Sequence, residues 1–150
     1  MSRAPKSYLA DVNVCVALVY DRHLHHGLVR RWFQGLRPPR RFFCRLTQLG
    51  FLRLLTARPV MGADTVSQRE AWKLYDQVMR DSRVGFLSGP ADAEAALGRS
   101  TERGEAASRV WSDAYLAAVA PVAGLVVAML DQGFATMKGS DVTLLQALRW

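Results

Sequence analysis

The chain has 150 residues, 50% of them hydrophobic and 22% charged, with 20 Lys and Arg against 13 Asp and Glu for a net charge of +7. That length suits one domain that buries a core without a metal or disulfide staple, and the composition excludes an intrinsically disordered chain. An isoelectric point near 10.1 favours an anionic partner, nucleic acid ahead of membrane.

Residues Ser7 to Val12 read as a buried strand, followed by helical sequence to about Val19. His25 to Leu36 places Leu28, Val29, Trp32 and Phe33 at the helical period, and Gly35 and Pro38-Pro39 stop it. Arg41 to Cys44 is a candidate short strand, and Thr47 to Leu55 a helix that ends before Pro59. Ser67 to Arg80 is an amphipathic helix on Trp72, Tyr75, Val78 and Met79, with Ser67 and Glu70 spaced as a capping box. Val84 to Leu87 reads as a strand, Asp92 to Leu97 and Trp111 to Val119 as helices, Leu125 to Leu130 as a strand and Val142 to Leu148 as a final edge strand. The 17-residue apolar run from Ala114 to Leu130 is interrupted by Pro121 and Gly124, so helix, turn and buried strand describe it better than a membrane span.

Strands thus alternate with helices, which predicts a single α/β domain over residues 1–150, with a parallel sheet and helices on both faces. No membrane segment or secretory leader is expected. Cys15 and Cys44 make no disulfide framework and point to a reducing, cytoplasmic compartment. Both read as packed core rather than nucleophiles.

In open parallel sheets ligands bind at the carboxyl ends of the strands. Asp11 and Asp131 follow predicted strands, and Asp113 opens the helix before the second of these. Converging there, three carboxylates would make a hard-oxygen site for Mg²⁺ or Mn²⁺. Taken singly, each has a plainer reading: Asp11 as a strand end, Asp113 as a helix-cap residue and Asp131 as a turn residue.

Four segments in order, YLADVNVCVAL, CRLTQLGFLRLLT, WSDAYLAAVA and LVVAMLDQGF, resemble a PIN domain, and within that family the VapC toxins of bacterial toxin–antitoxin pairs. The resemblance implies a metal-dependent endoribonuclease on a parallel sheet, using Mg²⁺ or Mn²⁺ to hydrolyse RNA phosphodiester bonds. It further implies neutralisation by a cognate VapB-like antitoxin and a homodimer. Carried across, the family's acidic positions fall on Asp11, Asp113 and Asp131 as catalytic and metal-binding residues, with Asn13 in support. The second acidic position of the family corresponds to Gln48, which brings a carbonyl but no charge, and Met129 stands where a Thr or Ser is common. The expectation is one metal held by three aspartates with Gln48 in its outer shell.

Between Arg22 and Ala63 there is no acidic residue and there are nine arginines. Arg37, Arg40 and Arg41, next to a predicted loop, are the candidate RNA contacts, because a guanidinium fork matches phosphate. The alternative is a solvated face. His23, His25 and His26 lack zinc-site partners. Leu28, Trp32, Phe33, Phe51 and Leu52 are either core or the lining of an antitoxin groove. The competing function is a catalytically weakened PIN-like module that binds RNA or a protein without cleavage, on the strength of Gln48 and Met129; a nuclease in RNA maturation, or one acting on DNA, is a third.

Overall fold

The computed structural model describes residues 6–36, 41–102, 104, 106, 111–130 and 142–145. Five short strands, β1 (Tyr8–Ala10), β2 (Arg41–Phe43), β3 (Val84–Phe86), β4 (Val126–Met129) and β5 (Val142–Leu144), pair in the order β3-β2-β1-β4-β5. All pairings are parallel, with Tyr8 level with both Arg41 and Val126, and Arg41 level with Val84. The carboxyl ends of all five therefore share one edge. Between the strands lie α1 (Val12–Val19), α2 (His26–Gln34), α3 (Arg45–Leu55), α4 (Arg58–Met61), α5 (Gln68–Met79), α6 (Ala93–Thr101) and α7 (Trp111–Val122).

Neighbouring side chains of a strand point to opposite faces, and this sorts the core into two halves. Ala10, Phe43, Ala128 and Leu130 pack with α1, α2, α3 and α5 through Val14, Val29, Trp32, Phe51 and Tyr75. Leu9, Val127 and Met129 face the other way and pack with α6 and α7 through Ala93, Leu116, Val119 and Ala120. The sheet is thus covered on both faces, as the βα alternation requires.

Several local expectations shift. Helix α3 begins at Arg45 rather than Thr47, because the Cys44 N–H is capped by Thr47 Oγ1 at 2.9 Å in a capping box whose first member, a cysteine, carries no sequence signal. Pro59 does not simply mark an end: it lies in the first turn of α4, where its missing N–H costs nothing. Trp32, Phe33 and Phe51 are buried core, so they line no groove. The apolar run resolves into α7 and β4, joined through Gly124 at φ +71, a conformation glycine adopts without strain. No helix among the described residues is long and apolar enough to cross a membrane.

Candidate active site

Asp11 stands directly beyond β1, the middle strand of the sheet. Its N–H donates to the Ala128 carbonyl at 2.9 Å and its carbonyl accepts from Cys15 N–H at 3.1 Å, which fixes the backbone at the junction of β1, β4 and α1. It occupies the N-cap position of α1, yet its side chain makes no capping bond, so capping does not account for the carboxylate. Asn13, two residues on, is exposed in the first turn. Strand β4 enters the sheet alongside β1, while β2 and β3 lie on its other side. That reversal of direction is where open α/β sheets place their ligands.

Helix α7 returns the chain to the start of β4, so its first turn lies at the carboxyl edge, and Asp113 sits in that turn, half-buried. Asp11 and Asp113 thus both lie at the carboxyl edge of the sheet. Asp131 follows Leu130 just past β4 but lies outside the described residues, as do Arg37 and Arg40.

Continuing the register of β1 and β2 sets Asp11 level with Cys44, so α3 starts beside the aspartate. Gly50 permits that approach, since a Cβ there would stand 2.5 Å from Val12 Cγ2 in the first turn of α1. Gln48, in the same helix as Gly50, is 5% exposed. Its Oε1 accepts from Arg45 Nη1, and Tyr75 is also buried, which holds its hydroxyl above the ordinary tyrosine range. The Arg45 guanidinium lies over the Phe86 ring, 5.0 Å from its centroid. Arg45 is one of the nine arginines of the acid-free stretch, though not among the three singled out there for RNA contact. Its one available signal was position, in the segment that follows β2.

Arg41 corrects an expectation. It opens β2, as the strand assignment predicts, but its side chain is fully buried, with the guanidinium over Phe33 and Phe43. It therefore offers nothing to RNA. Residues 41 and 43 share a face in a strand, and Phe43 is core, so the alternation held the clue. Cys15 and Cys44 are buried and free, as expected. Burial pushes the Cys15 thiol up, against the nearby Arg41 charge, so it is a poor nucleophile. Of the histidines, His23 Nδ1 accepts from the His25 N–H and His26 Nδ1 bonds the Ala17 carbonyl, which are turn contacts.

The donor set suits a hard cation. Asp11 and Asp113 supply carboxylate oxygens, whereas the thiols are buried in the core and the histidines belong to a turn. Among the described residues no three His, Cys, Asp or Glu side chains form a metal-holding group.

The PIN domain model matches residues 8–139. The chain belongs to the PIN-domain family. Ribonuclease VapC41 of Mycobacterium tuberculosis is 37% identical over 142 residues, covering 91% of this chain and 97% of the relative. Among solved structures, VapC20 of Mycobacterium tuberculosis, described as a sarcin–ricin loop cleaving toxin, superposes with a TM-score of 0.65 at 20% identity, covering 90% of this chain and 99% of the other. DNA-bound VapBC from Salmonella typhimurium gives 0.69 at 16% identity, covering 94% and 99%. At those identities the structures speak for the fold.

Proposed function

We propose that this PIN-domain protein is an endoribonuclease toxin, dependent on Mg²⁺ or Mn²⁺, acting as a homodimer in the cytoplasm and neutralised by a cognate VapB-like antitoxin. The observation that carries the reading is that Asp11 follows β1 at the strand-order reversal and Asp113 lies in the first turn of α7, in a chain similar along nearly its whole length to a ribonuclease. Asp131 joins them by its place in the sequence. Bound there, the divalent ion would polarise a phosphoryl oxygen and lower the pKa of a water.

The chain's own residues do the rest. Asp11, its backbone fixed by β4 and α1, holds one side of the site. Asp113 contributes from the first turn of α7. Asn13, exposed beside Asp11, is placed to meet the sugar or the water through its amide. Met129 and Leu130, at the end of β4, are buried core.

The test is incubation of total cellular RNA with the purified chain and Mg²⁺ or Mn²⁺, beside EDTA and Asp11→Asn controls. Discrete fragments that vanish in both controls are expected, with the Asp11→Asn rate down at least about a hundredfold. No cleavage by a folded, antitoxin-free sample would replace this reading with the non-cleaving RNA- or protein-binding module. Gln48 favours that second reading, because it removes a charge from the site.

A further inference from the structure

We infer that Arg45 is the phosphate-binding cation of the active edge and that Gln48 is its positioning residue, a neutral group that aims the guanidinium without neutralising it. The inference rests on the ribonuclease reading only in taking the bound anion to be the RNA backbone.

Arg45 is exposed, yet it is held at two points: Nη1 donates to Gln48 Oε1, and the guanidinium plane lies over Phe86. Gln48 is itself held by burial, at 5% exposure in α3. A long side chain ordered before binding loses less conformational freedom when it meets its ligand. Only one of the guanidinium nitrogens is used on Gln48, which leaves N–H donors for an incoming oxygen.

Helix stability does not explain the residue. Arg45 is the first residue of α3, at the positive end of the helix dipole, where a cation is disfavoured. Nor does an ion pair: among the described residues no carboxylate lies within 4.0 Å of it, the pairs being those of Arg22, Lys73 and Arg83. A cation and a helix N-terminus side by side both favour an anion from outside. The register places them next to Asp11 on the adjacent strand, where a phosphodiester under attack would lie.

The same geometry gives the amide at position 48 a purpose. A glutamate there would form a salt bridge with Arg45 and cancel its charge. Glutamine keeps the hydrogen bond and leaves the charge for phosphate.

The experiment separates binding from cleavage. In an Asp11→Asn background with EDTA, binding of a short fluorescein-labelled single-stranded RNA is measured by anisotropy over a range of salt. Arg45→Ala is expected to weaken binding about tenfold at low salt. It should also flatten the slope of log affinity against log salt by about 0.7, the value for one lost phosphate contact. Arg45→Lys, which keeps the charge but not the fork, should recover part of the loss. Gln48→Glu should weaken binding as well, by pairing with an Arg45 that is still present. Melting temperatures report folding, and if Arg45→Ala does not fold, the Lys and Glu variants carry the test. A folded Arg45→Ala with the parent's affinity and salt slope overturns the proposal. Parent-like binding by Gln48→Glu removes Gln48 from its role. Failure of the ribonuclease reading looks different: no cleavage by the Asp11 chain, with the Arg45 effect on binding intact.

Discussion

Arg41 lies between the Phe33 and Phe43 rings, 5.5 and 5.0 Å from their centroids, and its Nε, Nη1 and Nη2 have no hydrogen-bond partner among the described residues. Taking an ion out of water costs several kcal/mol even after relaxation, and a desolvated cation–π contact returns about 2 kcal/mol. The residue is therefore a net burden on stability. Arg41→Met keeps the length and apolar body of the side chain and should stabilise the fold by about 1–2 kcal/mol. That is a rise in Tm of roughly 2–8 °C for a domain of this size, read in a thermal melt. A fall would mean that the guanidinium has an anionic partner in the native protein. At this scale the sequence misleads because residue type and position conflict. An arginine two residues past a proline pair reads as surface, while its place in step with Phe43 reads as core, and the second won. Asp11 was legible for the opposite reason, since an acid closing an apolar run has few places to go but a strand end. Arg45 was not, because its role depends on Gln48 and on Phe86, from a strand many residues away.

The elements were legible wherever periodicity and caps agreed. Ser67 accepts from the Glu70 N–H at 3.1 Å, as the spacing predicts, although the Glu70 carboxylate turns to Lys73 instead of completing the box. Where the cap was a cysteine, the start of α3 was misplaced, and with it the relation of Arg45 to the strand edge. Packing between elements was not legible at all. Gly50 looks like a weak point in a helix, yet it is what lets α3 meet α1 at Val12, one residue from Asp11. A methyl group there has no flexible neighbour to displace, because Val12 is branched at Cβ. Gly50→Ala should gain up to about 1 kcal/mol in helix propensity and lose about 1–3 kcal/mol to overpacking, for a net destabilisation measurable by urea unfolding. Metal affinity, read by calorimetry with Mn²⁺, should fall too, since the first turn after Asp11 must move. A stabilised Gly50→Ala protein would show that the two helices are free to separate.

For the whole molecule, alternation of strand and helix gives a parallel sheet but not its strand order, which depends on which side of β1 each later strand joins. That order creates the reversal beside Asp11, so the site's location was readable only as an edge, not as a place on it. The net charge of +7 has the same limitation. Nine arginines in an acid-free stretch suggest a basic face, but Arg41 is buried and Arg22 lies 3.6 Å from Asp64, so the stretch is not one uniform binding surface. Arg30, Arg31, Arg45, Arg53 and Arg58 remain exposed, distributed over α2, α3 and α4. Cations spread over several elements cannot all meet one short strand, so contact with about three or four phosphates is expected. Counterion release then gives a slope of log affinity against log salt near −2 to −3 for single-stranded RNA. Between low and physiological salt that is a loss of one to two orders of magnitude, measured by anisotropy with EDTA present. A slope near zero would remove the RNA backbone as the partner of this charge, and the basic face would then have to be assigned to an acidic protein surface instead.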